Sequence, residues 1–117
     1  MDFAPIVTWR NRPADENLRN VINQHGHGLL SICDRVVSCR VTIERLSGRG
    51  EDHAGHLVQL DIHLPNRKEI VINREARGRG HQALSQAIDA AFGQARHRMG
   101  QLLKKAYGPV RGETTKP

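Results

Sequence analysis

Aromatic side chains are almost missing from this chain of 117 residues: they make up 3% of it, with a single tryptophan and a single tyrosine. Any core it builds is therefore aliphatic. Cysteine is nearly as scarce. Cys33 and Cys39 are the only two, too few for the disulfide framework of a small secreted domain and not spaced as the CxxC of a zinc site. Both read as small buried hydrophobes. No stretch approaches the roughly 18 consecutive apolar residues that span a bilayer. The first residues also lack the basic start and apolar run of a secretory signal. These absences predict a cytoplasmic protein with no membrane partner. Acids are the last shortage, 12 Asp and Glu against 18 Lys and Arg, which leaves a net charge of +6.

What is present is cationic and mostly arginine, 14 Arg to 4 Lys. The planar guanidinium fork matches phosphate geometry, so nucleic acid becomes the leading class of partner. The length suits one core rather than two. Hydrophobic residues form 38% and charged residues 26%, ordinary for a globular domain. We expect a single domain over residues 1–107 and a disordered polar tail over 108–117, where Arg111, Glu113, Thr114 and Lys116 offer little apolar surface to pack.

Periodicity gives the order of elements. Ile6 to Trp9 is a short β-type run, stopped by Arg10-Asn11-Arg12-Pro13. Asp15 is placed to cap a helix whose apolar face recurs at Leu18, Val21, Ile22, His25 and Leu29. Gly26 and Gly28 cost about 1 kcal/mol each against alanine, which predicts an irregular last turn. From Val36 to Glu44 the alternation is clean, with Val37, Cys39, Val41 and Ile43 on one side. Ser47 to Asp52 has a mobile loop's composition. Val58, Leu60, Ile62 and Leu64 then alternate with Gln59, Asp61 and His63. After the turn Pro65 to Lys68, a third such strand runs from Glu69 to Arg74, and Arg77-Gly78-Arg79-Gly80 reads as a linker. The order β-α-β-β-β-α predicts an α+β fold, a four-stranded sheet with two helices packed on one face, because each strand and each helix has one apolar side to bury.

The closing helix is the most distinctive element. With Ile88 as origin and about 100° per residue, Leu84, Ala91, Phe92, Ala95, Met99, Leu102 and Leu103 fall within about 60° of one line. Gln94, His97, Arg98, Gln101, Lys104 and Lys105 occupy the other side, which has no carboxylate to repel a polyanion. Asp89 lies on a flank. His97 would add charge to that face as pH falls toward about 6.5. The run containing Arg74, Arg77 and Arg79 has Gly78 between its last two arginines and Gly80 after them, so its backbone could approach a phosphate closely.

Three phrases carry a resemblance: Asp15-x-x-Leu18-Arg19 at the first helix, Ile62-His63-Leu64-Pro65 in a strand and Ala87-Ile88-Asp89 in the last helix. With the element order, they resemble the ribosome hibernation-promoting factor family, also called ribosome-associated inhibitors, over roughly Ile6 to Lys105. The resemblance implies two parallel helices on a four-stranded sheet, and basic helix residues that bind small-subunit ribosomal RNA in the channel used by messenger and transfer RNA. It implies a short form, a translation inhibitor of ribosome hibernation, rather than an enzyme. Departures fall at Ala83 and Ser85, where relatives usually have Asp and Tyr, and at His97, Gln101 and Leu103, where they commonly have Arg and Lys. The RNA-binding set expected here is Arg98, Lys104, Lys105, Arg96, His97, Arg74, Arg77, Arg79 and Arg19. The partner expected is the small ribosomal subunit, with no small-molecule substrate and no cofactor.

Other chemistries find less support. His25 and His27, or His53 and His56, have spacings seen at metal sites, but no acid or cysteine partner is fixed by sequence and glycines flank them. His25 falls on the apolar helical stripe and reads as a boundary histidine with a partner. Glu44, Asp61 and Glu69 read as solvated strand or turn carboxylates, with no pair singled out and no nucleophile beside them. Trp9 reads as a cap on the core rather than a base-stacking platform. Two rival functions keep the same fold: a general binder of structured RNA, and a protein-interaction adaptor using the exposed sheet face around Arg40, Gln59, Asp61 and His63. Oligomeric state is not encoded in any local pattern.

Overall fold

The computed structural model describes residues 4–46, 55–77 and 81–107, with the side chains of 81 and 103–107 left out. The loop expected at Ser47 to Asp52, Arg79 and the tail from 108 onward lie outside the described residues. The order is β1 (Ile6–Arg10), α1 (Glu16–Leu29), β2 (Ser38–Leu46), β3 (Gly55–Leu64), β4 (Lys68–Arg77) and α2 (His81–Tyr107). The sheet runs β1-β2-β3-β4. β1 pairs parallel with β2, so α1 is the crossover that parallel pairing requires. β2, β3 and β4 form antiparallel pairs. No helix among the described residues is long and apolar enough to cross a membrane.

Local chemistry explains most boundaries. The Asp15 carboxylate accepts from Asn17 N at 2.9 Å and Leu18 N at 3.2 Å, satisfying two of the free donors at the start of α1. That helix stays regular through Gly26 and Gly28 to Leu29, contrary to the irregular turn expected from them. Gly26 is buried while Gly28 is only half-buried. Past Leu29, Ser31 N and Oγ both donate to Gly28 O, at 3.2 and 2.7 Å.

One apolar layer lies between the helices and the sheet. Leu18, Ile22 and Leu29 of α1 and Leu84, Ile88, Phe92 and Met99 of α2 join Val41, Ile43, Leu60, Ile62, Ile70 and Ile72 in a single buried cluster. Each such side chain contributes about 1.5–3 kcal/mol by leaving water. Trp9 packs against this cluster half-buried, as a cap would. Cys39 is buried and Cys33 half-buried, both free. Burial pushes the Cys39 thiol up to about 12, helped by the nearby charge of Asp61.

Strand boundaries differ from the sequence expectation. β2 runs from Ser38 to Leu46 rather than from Val36 to Glu44, so Val37, expected on the inward side, precedes the strand and is 65% exposed. The far ends of β3 and β4 differ for one shared reason. β3 begins at Gly55 and β4 ends at Arg77, paired with each other. Past Arg74 the sequence Glu75-Ala76-Arg77 is mostly charged and falls outside the expected strand, yet Ala76 is only 5% exposed, covered inside the fold. A Cβ on Gly55 would stand 2.7 Å from Ala76 O. Glycine is what lets these strand ends close.

Candidate nucleic-acid interface

The outer surface of α2 is the face the helical wheel placed away from the core. Gln94, His97, Arg98 and Gln101 are all exposed there, while Leu84, Ile88, Ala91, Phe92, Ala95 and Met99 are buried beneath them. Arg98 lies toward one side, where its Nη1 donates to Val71 O on the edge strand β4 at 3.3 Å. Arg96 and Asp89 lie on the other flank, about 80° and 100° from Ile88 at 100° per residue. Both turn toward α1.

Their meeting point is His25. Its Nε2 is 2.7 Å from Asp89 Oδ1, and Arg96 Nη1 is 3.3 Å from its Nδ1. The ring stacks on Phe92 with centroids 4.9 Å apart and an interplanar angle of 8°. Arg96 is a donor only, so Nδ1 accepts and Nε2 carries the proton given to Asp89. His25 is thus a boundary histidine with partners on both nitrogens, as its place on the apolar stripe suggested. Asp89 is the sole acid of α2, and this contact draws it toward α1.

The remaining expected residues separate by location. Arg74 and Arg77 are exposed but belong to β4, correcting the linker reading of Arg77. They point to opposite sides of the sheet, since Arg74 shares the parity of Ile70 and Ile72 on the helix side and Arg77 does not. Only Arg74 joins the α2 side. Arg19 is half-buried on α1, its guanidinium carbon 5.9 Å from the Trp9 ring centroid and its Nε 3.5 Å from Glu16 Oε1. Lys104 and Lys105 lie within α2.

Two groupings are not legible from the sequence. Around Trp9, Arg12 as well as Arg19 approaches the ring, its guanidinium carbon 5.4 Å from the centroid, and its Nη1 is 3.1 Å from His56 Nε2. Partial burial, then the charges of Arg12 and Arg45, lower the His56 pKa. Trp9 Nε1 is buried without an acceptor among the described residues. No sequence signal links these residues, because Trp9, Arg12 and His56 meet only through sheet pairing.

The second grouping lies on the sheet face away from the helices. His63 and Glu69 are directly opposite across β3 and β4, and Asp61 is two residues along β3 on the same face. His63 Nε2 is 3.3 Å from Asp61 Oδ1 and 3.2 Å from Glu69 Oε2. A hydrogen bond with Asp61 and its charge raise the Glu69 pKa, while His63 opposes that shift. His63 therefore brings Asp61 and Glu69 into one group, and Asp61 is half-buried rather than fully solvated.

No protein-family model matches the sequence, and no curated protein matches it. Solved structures do. The N-terminal domain of protein Y from Thermus thermophilus superposes with a TM-score of 0.65 at 17% identity, covering 87% of this chain and 99% of that one. A ribosomal subunit interface protein from Coxiella burnetii gives 0.62 at 13% identity, covering 86% and 97%. At these identities the likeness is one of architecture: the chain has the β-α-β-β-β-α fold of these two proteins.

Proposed function

We propose that this protein binds small-subunit ribosomal RNA through the outer face of α2 and inhibits translation by occupying the decoding channel. The observation that carries the reading is a 27-residue helix whose only acid, Asp89, engages α1 and whose exposed face holds cations and amides. Phosphates can lie along such a face without meeting a like charge. Arg98 and Arg74, with Lys104 and Lys105 further along the helix, supply the positive charge. Arg79, Arg96, His97 and Arg19 complete the proposed contact set at lower priority, Arg96 and Arg19 because they also make contacts within the fold. Arg77, on the opposite side of the sheet, could contribute only from the edge of that surface. The sheet behind the helix provides the bulk that excludes a transfer RNA. Shared architecture with a protein named for the ribosomal subunit interface supports the choice of partner.

Sedimentation of the purified protein with ribosomes and separated subunits, across a salt series, tests this. Migration with small subunits is expected, with log affinity falling linearly in log salt. Lys104→Glu with Lys105→Glu should lower that slope by about one per lost phosphate contact. Inhibition of a purified translation system should be relieved by preloading ribosomes with messenger and initiator transfer RNA. Migration with neither subunit refutes the partner. Equal inhibition after preloading refutes steric competition, and equally strong binding to isolated duplex RNA favours a general RNA binder.

A further inference from the structure

The geometry points to a divalent transition-metal site on the sheet face away from the helices, formed by Asp61, His63 and Glu69. This inference is independent of ribosome binding. Among the described residues, it is where three potential metal-donor side chains converge, their ligand atoms all within 4.8 Å of one another. The donor set is one imidazole nitrogen and two carboxylates. That mixture suits zinc and its first-row neighbours. Calcium and magnesium take oxygen ligands in larger number, which this site does not supply.

The spacing fits as well as the chemistry. In a tetrahedral zinc centre with bonds of about 2.0–2.1 Å, neighbouring ligand atoms stand about 3.3 Å apart. His63 Nε2 lies 3.3 Å from Asp61 Oδ1 and 3.2 Å from Glu69 Oε2, so two edges of such a tetrahedron already exist. A cation bound among the three atoms needs no rearrangement of the strands. Asp61 Oδ1 adds a separate observation: it is shut off from water and makes no well-aligned hydrogen bond among the described residues, with His63 Nε2 3.3 Å away. A carboxylate oxygen held away from water with only that long contact is poorly satisfied, and an ion or proton would complete it. A metal would meet that requirement and leave a fourth position, on the solvent side, for water.

The backbone holds the ligands in place. Asp61 and His63 are two apart on β3, and Glu69 is fixed opposite His63 by a turn through Pro65, Asn66 and Arg67. β3 lies inside the sheet, between β2 and β4. Arg40 of β2 is the register partner of Asp61 on its other side. Its charge opposes a cation there, so it moderates affinity.

Zinc titration of the metal-stripped full chain by calorimetry is the test, with cobalt absorption as a second probe of ligand geometry. The expected result is one saturable equivalent that is weakened at least tenfold by each of Asp61→Asn, His63→Gln and Glu69→Gln, a loss at the lower end of that produced by removing even supporting groups at metal sites. Arg40→Gln should tighten binding several-fold. His25→Gln and His56→Gln should leave this equivalent unchanged. Circular dichroism checks that each variant folds, and the imidazole nitrogen resonances of His63 in the unaltered protein should shift on zinc addition. Absence of a binding event overturns the proposal. So does an affinity that survives His63→Gln, which would assign the zinc to other histidines.

Discussion

Replacing Gly55 and Gly100 by alanine should change stability in opposite directions. At Gly55 the added Cβ would sit 2.7 Å from Ala76 O and 3.7 Å from both Ala76 C and the Arg77 Cα. The first distance is well inside van der Waals contact, and the obstruction is backbone of a paired strand rather than a flexible side chain. Relief requires the ends of β3 and β4 to separate, losing pairing at Gly55 and Arg77. Overpacking of this kind costs about 1–3 kcal/mol. At Gly100, inside α2, nothing lies within 4 Å of the added methyl. Alanine there removes unfolded-state entropy and should stabilise by about 0.5–1 kcal/mol. Urea unfolding followed by circular dichroism separates the two. With m of about 1–3 kcal/mol/M, Gly55→Ala should move the midpoint down by roughly 1 M and Gly100→Ala should move it up by a few tenths, with m unchanged. Melting should shift by about 4 °C per kcal/mol. A midpoint for Gly55→Ala equal to the parent's refutes the close approach of the strand ends, and a lower one for Gly100→Ala refutes the open position of that methyl.

Two further outcomes follow from particular side chains. Arg67 sits at φ 61°, where a side chain costs roughly 1–2 kcal/mol; Arg67→Gly should stabilise by up to about 1 kcal/mol in the same urea assay after the entropy of a new glycine is subtracted, and destabilisation would show that the turn relies on the arginine side chain. Cys39 has its thiol raised from 9.0 to about 12, so the unfolded chain loses that proton first. Stability from this group is complete below pH 9 and declines between pH 9 and 12, with the decline absent in Cys39→Ala. Iodoacetamide should label Cys33 well before Cys39 at neutral pH, and equal rates would contradict the burial of Cys39.

Element order and facing were legible because burial leaves its period in the sequence. Val41, Ile43, Leu60, Ile62, Ile70 and Ile72 alternate, and all are at most 2% exposed. The α2 stripe obeyed a helical period and is buried from Leu84 to Met99. What escaped was anything set between elements. Arg77 reads as linker because its own composition is polar; it is strand because Gly55, 22 residues earlier, pairs with it. Arg96 looks like a free cation on a wheel, and it meets His25 only because α1 lies beside that flank. The Asp61, His63 and Glu69 group shows the limit most clearly. Asp61 and His63 share a face by the period of two, which a sequence reveals. Glu69 reaches them because a three-residue turn, with Asn66 and Arg67 both left-handed at φ 65° and 61°, sets Leu64 opposite Lys68. A turn one residue longer would shift that register and move Glu69 away from His63. The basic face of α2 and this acidic group therefore differ in kind: the first follows from one helix alone, while the second exists only through a turn conformation that the residue types there do not specify.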